Sequence, residues 1–170
     1  MASERFELKQ LTPDAVDAAL ERALHYRYLN QPQLAESICR DVLELQPEHP
    51  RANVMLVMSL CDQFGIIEGI AVKEVLDMAG RLAGDYERAY YSGLVCERRA
   101  EAALLKAGPG AEAIAYEWFE RAMDCYAEAE PLRPAGNDDA LLRWNTCART
   151  LNTHPDVRPK EEDVGVQMLE

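Results

Sequence analysis

Three histidines, five cysteines and a surplus of carboxylates are the residues from which a catalytic or metal site would have to be built. A zinc site needs His or Cys ligands paired at short helical or turn spacing. His25, His49 and His154 stand at no such spacing from one another or from a cysteine, and Cys39, Cys61, Cys96, Cys125 and Cys147 contain no C-x-x-C pair. Each cysteine falls inside a helical apolar pattern, so reduced core thiols are expected, with Cys61 and Cys96 acting as small, unreactive hydrophobes. Gly108-Pro109-Gly110 follows no strand and lacks the Lys-Ser/Thr of a phosphate loop, so it reads as a connector. The expectation is no catalytic residue, no cofactor and no metal.

Charge and aromatic clusters are the next candidates. Glu97, Arg98, Arg99 and Glu101 form a charge run, which reads as a solvated helix face, Arg99 and Glu101 above all. Tyr86, Tyr90, Tyr91, Trp118 and Phe119 have the residue types of a ligand cage, but their spacing of three and four along long helices favours core packing. Trp144 carries the same ambiguity. The formal charge of −12 opposes general binding to nucleic acid or to an anionic membrane surface, since both need clustered cations. Only four of the 18 basic residues are Lys and the arginines are dispersed, so a positive patch would have to be assembled by the fold.

The elements that would do the assembling are helices. A chain of 170 residues, 48% hydrophobic and 28% charged, is sized for one domain with its own core. No run approaches the roughly 18 apolar residues that span a bilayer, and the start shows no basic stretch before an apolar one, so a cytoplasmic location is expected. Thr12-Pro13-Asp14 is a helix start, with Thr12 as the capping side chain. Val16, Ala19, Leu20, Ala23 and Leu24 then form an apolar stripe to about Leu29. After Asn30-Gln31-Pro32 the stripe Leu34, Ala35, Ile38, Val42 and Leu45 runs to Pro47, giving two antiparallel helices joined by a tight turn. Further helices are expected over Arg51 to about Gln63, Ile67 to Leu82, 86 to 106, Ala111 to Glu130 and Ala140 to about Leu151. Residues 1–11 read as an N-terminal extension, 12–151 as the helical domain and 152–170 as a polar, flexible tail.

Two stretches share a spacing. Ala35, Cys39, Val42 and Pro47 repeat as Ala122, Tyr126, Ala129 and Pro134: small, large, small, then proline. Ala23 before Tyr26, and Ala89 before Gly93, place small residues on the first helices of pairs. This resembles the tetratricopeptide repeat, whose second helix carries Ala-x3-Phe-x2-Ala-x4-Pro and whose first carries a small residue within Trp-x2-Leu-Gly-x2-Tyr. The resemblance covers roughly residues 16–151 and is poor over 64–83, where Gly69 and Lys73 replace a small and a large apolar residue. Lys106 to Gly110 and the long helix after it exceed the 34-residue period, so the third pair is expanded. The resemblance implies an all-α fold of antiparallel helix hairpins in a right-handed superhelix, about seven helices, with Ala23, Ala35, Gly93 and Ala122 at close helix contacts.

The resemblance also implies a function. First helices of such pairs line a concave face, which selects Leu24, Arg27 and Tyr28, then Arg51, Val54 and Met58, then Tyr90, Leu94 and Arg98, and finally Leu142 and Arg149. Four arginines among apolar and aromatic side chains suit a protein or peptide segment that is acidic with one or two apolar anchors. The counter-expectation is that neighbours such as Asp62 or Glu97 already pair these arginines. A scaffold or adaptor is therefore expected. The alternatives are a small chaperone of the bacterial secretion type and, in another class, an enzyme whose acid–base groups converge only on folding. Lys160-Glu161-Glu162-Asp163-Val164 resembles acidic tails that some tetratricopeptide domains recognise, and Val164, Val166, Met168 and Leu169 are apolar enough to dock.

Overall fold

The computed structural model describes residues 6–160. They form seven α-helices and no strand: α1 (Val16–Tyr28), α2 (Pro32–Leu45), α3 (Pro50–Cys61), α4 (Val72–Ala79), α5 (Asp85–Lys106), α6 (Ala111–Ala129) and α7 (Asp139–Thr153). No described helix is long and apolar enough to cross a membrane. The acidic tail motif beyond Lys160, with its apolar residues, lies outside the described residues.

The boundaries follow from local chemistry. Pro32 and Pro50 open α2 and α3 in the first turn, where the missing N–H has no helical partner to lose. His49 caps α3 by accepting the Ala52 N–H at 3.2 Å on its Nδ1. At the start of the domain Thr12 makes no side-chain cap, and a 3-10 turn at Pro13–Ala15 precedes α1, so the helix begins later than Thr12-Pro13-Asp14 suggests. The Lys106 to Gly110 break is made by Ala107 at φ 43° and Gly110 at φ 74°, left-handed positions that no helix continues through.

The largest departure from the sequence expectation is at 67–82. Helix is present only over Val72–Ala79, and 62–71 form a connection of turns. Gly65 and Gly69 adopt φ 77° and 93°, so the chain bends twice before its apolar spacing can act as a helix stripe. Lys73 is exposed, as its charge requires.

Each helix packs on the next, and α1 also contacts α3 and α3 contacts α5. Ion pairs fix the directions. Glu21 meets Arg51 at one end of α1 and α3 and Arg27 meets Asp62 at the other, so these helices run parallel. Tyr86 to Asn137 and Glu97 to Arg143 relate α5 to α7 in the same sense. Two large apolar clusters result, one around Ala35, Leu56, Val75 and Val95, the other around Ala100, Phe119, Tyr126 and Cys147, with Leu76 packed against both. Ala23, Ala35, Gly93 and Ala122 are all buried, as the close contacts of helix on helix require. Beyond α7, Val157 is buried in the second cluster, so the chain after 152 packs back on the domain at this point.

Candidate protein-binding face

Of the eleven residues selected from the sequence, those on α1 and α3 come together. Arg27 donates to Asp62 through Nε at 2.8 Å and Nη2 at 2.7 Å, while its Nη1 approaches the Met58 sulfur at 3.6 Å. Asp62 sits just past the end of α3, so this contact ties the ends of α1 and α3. Arg51 pairs with Glu21 at 2.6 Å. Leu24, Val54 and Met58 are half-buried beside these pairs, and Tyr28 is 78% exposed.

The α5 residues behave differently. Tyr90 is half-buried within a ring cluster, stacked on Tyr86 at 5.5 Å and edge-on to Tyr91 at 5.1 Å. Leu94 is buried, supporting the face from beneath without presenting to it. Arg98 is held by Glu101 at 2.9 Å, and its Nε is buried with no hydrogen-bond partner. On α7, Leu142 and Arg149 are exposed. Arg149 makes no ion pair among the described residues.

Sequence reasoning missed the group that holds α5, α6 and α7 together. Glu97, assigned to a solvated charge run, is buried. Its Oε2 accepts from the Tyr126 hydroxyl and its Oε1 from Arg143 Nη1 at 3.0 Å. Glu97 on α5, Tyr126 on α6 and Arg143 on α7 thus form one network that spans three helices. The signal was available in helical phase. Gly93, Glu97 and Ala100 lie at steps of four and three, and both neighbours are small residues that mark the face turned to α6. Burial, and then the adjacent Glu97 carboxylate, push the Tyr126 hydroxyl far above its ordinary value. For Arg143 burial opposes the charge, but Glu97 and the tyrosines outweigh it and hold the guanidinium more firmly protonated.

The remaining chemistry-bearing residues are packed. Phe119 is buried, Tyr90 and Tyr126 rings lie 5.8 Å apart, and Arg121 covers Trp118 at 4.2 Å. All five cysteines are free thiols, four buried and Cys125 half-buried. Burial pushes Cys39, Cys61 and Cys147 up to about 12. Cys96 and Cys125 share a side-chain hydrogen bond, which with burial raises Cys96 and by itself lowers Cys125. Among the described residues no group of three metal-capable side chains converges.

Comparison of the chain with protein-family models, with curated proteins and with solved structures finds no match. The reading of the face therefore rests on its own geometry.

Proposed function

We propose that this chain is an adaptor of tetratricopeptide-like helix hairpins that holds a protein segment across the face contributed by α1, α3, α5 and α7. The observation that carries the reading is the succession of these helices: α1 touches α3, α3 touches α5, and α5 is joined to α7 through Glu97 and Arg143. Burial of Ala35, Cys39 and Val42 on α2 and of Ala122, Tyr126 and Ala129 on α6 supports equivalent repeat positions in the two pairs.

The ion pairs divide the arginines into two kinds. Arg27 keeps only 14% of its side chain exposed and braces α1 against α3, so a ligand would have to break the fold to take it. Arg51 and Glu21 are 42% and 65% exposed, a pairing of little strength that an incoming carboxylate can replace. Arg51 and Arg149 are thus the arginines offered to an acidic segment, with the exposed Tyr28, two turns beyond Glu21 on α1, and Leu142, two turns before Arg149 on α7, as apolar anchors. Glu97, both of whose oxygens are engaged by the fold, has a structural part rather than that of a general base.

A photo-crosslinking side chain placed at Tyr28 or Leu142 in native cells should capture one protein, and the same group at Glu128 on α6 should not. Arg51→Glu with Arg149→Glu should abolish the capture. Equal capture from Glu128, or capture indifferent to the two charge reversals, would remove this face from consideration.

A further inference from the structure

Facing stripes of α5 and α6 bring two thiols together. On α5 Gly93, Cys96 and Ala100 recur at steps of three and four, and on α6 Ala122, Cys125 and Ala129 do the same. The two stripes are in register. A Cβ at Gly93 would meet the ring of Tyr126, the residue next to Cys125, and Glu97, the residue next to Cys96, accepts from the Tyr126 hydroxyl. At this level Cys96 and Cys125 are hydrogen-bonded to each other through their side chains. A disulfide asks for Cβ atoms about 3.5–4.5 Å apart, a spacing that helix pairs reach where small residues line the contact. Gly93, Ala100, Ala115 and Ala122 supply that lining, and all four are buried.

The two thiols are not alike. Cys96 is 1% exposed, whereas Cys125 is half-buried and open to small reagents. The hydrogen bond from Cys96 lowers Cys125 below an ordinary thiol and, together with burial, raises Cys96, so Cys125 is the sulfur that loses its proton first. Arg121, one turn earlier on the same face of α6, favours that thiolate, while Glu128 and Asp124 on the same helix oppose it. We propose that Cys96 and Cys125 form a reversible disulfide under hydrogen peroxide, with Cys125 as the attacking thiol and Cys96 as the resolving one. The Cys125 thiolate attacks one peroxide oxygen, the O–O bond breaks, and the departing hydroxide takes up a proton as water, leaving Cys125 as a sulfenic acid. The Cys96 sulfur then attacks the Cys125 sulfur, the S–O bond breaks, and the Cys96 proton departs with the hydroxyl as a second water. Peroxide is reduced by the two electrons that the thiol pair gives up. A buried thiol alone is inert, but Cys96 need not leave the core, because its target is the sulfur it already meets. The bond would clamp α5 to α6 across the break at Lys106 to Gly110, and a reduced thiol would reopen it by exchange. This site does not depend on the protein-binding face.

The test is treatment of the folded, reduced full chain with hydrogen peroxide, followed by thiol counting and mass-spectrometric mapping of linked peptides. Wild type, Cys125→Ser and Cys96→Ala are compared. The wild type should pass from five free thiols to three, the two lost being Cys96 and Cys125 joined in one peptide pair, and a reductant should restore all five. The linked protein should need more urea to unfold than the reduced one, because the bond closes a loop of the unfolded chain. Neither variant should form a disulfide. Cys125→Ser, at the half-buried position, keeps the test decisive should the core variant Cys96→Ala fail to fold. Survival of all five thiols, linkage of a different pair, a bond between two chains, or a linked protein that needs no more urea than the reduced one would each overturn the inference.

Discussion

Gly93 on α5 lies directly beneath the ring of Tyr126 on α6: a Cβ at position 93 would sit 2.7 Å from Tyr126 Cε1. The ring has nowhere to move. Tyr126 is fully buried, and its hydroxyl is held by Glu97 one turn further along α5. Gly93 is therefore a packing residue whose missing side chain lets the two longest helices approach.

Gly93→Ala should lower stability by about 1–3 kcal/mol, even though Ala favours a helix interior over Gly by about 1 kcal/mol. The overlap outweighs the propensity because it falls on a fixed ring. Urea unfolding of Gly93→Ala and of Gly93→Ala with Tyr126→Phe would measure it. Freed from Glu97, the phenylalanine ring can shift, so the added penalty of the alanine should shrink in the second background. An alanine variant as stable as wild type would show the contact to be loose.

Glu97 and Arg143 should behave as a coupled pair. Arg143→Leu strands a buried carboxylate and should cost about 3 kcal/mol, the low end for a broken buried pair because Arg143 keeps 33% of its side chain exposed. Glu97→Gln keeps an acceptor for Tyr126 and strands a cation with access to water, so it should cost less. The double variant should be more stable than the sum of the two losses implies. Additive losses in a denaturation cycle would mean the two side chains act independently.

Alkaline pH should destabilise the fold through its thiols. Burial holds Cys39, Cys61 and Cys147 protonated up to about 12, whereas an unfolded thiol loses its proton near 9. Between those values the native chain binds more protons than the unfolded one, so stability is full below about 9 and falls as pH rises towards about 12. Burial of Tyr91, raised from 10 to about 12, acts in the same direction over the upper part of the window. Urea midpoints across this range should decline, and Cys39→Ala should flatten the decline. A midpoint independent of pH would indicate that these thiols reach solvent.

Two ion pairs joining α1 to α3 should differ in value. Arg27–Asp62, with 14% and 22% of its side chains exposed, should show a coupling of about 1–2 kcal/mol in a double-mutant cycle. Arg51–Glu21, with 42% and 65% exposed, should give about 0–1 kcal/mol and fade with added salt. The reverse order would contradict the division of the arginines into bracing and ligand-facing groups.

What the sequence by itself determined is the set of local events. Apolar stripes at three- and four-residue steps, prolines in first turns and breaks at Asn30 and Gly110 act within a few residues, and they mark out six of the seven helices within a few positions. Small residues at Ala23, Ala35, Gly93 and Ala122 also betray their burial, because only a close neighbour makes a missing side chain useful. The helix expected over Ile67 to Leu82 begins only at Val72, because Gly69 at φ 93° bends the backbone inside the stretch where its first turn was placed. Which charges are paired was decided only by tertiary structure. Glu97 and Glu101 look alike in a run of charged residues, yet one is buried between Tyr126 and Arg143, 29 and 46 residues away, and the other lies near the surface holding Arg98. Desolvation depends on what packs over a side chain, and the groups that cover Glu97 belong to other helices.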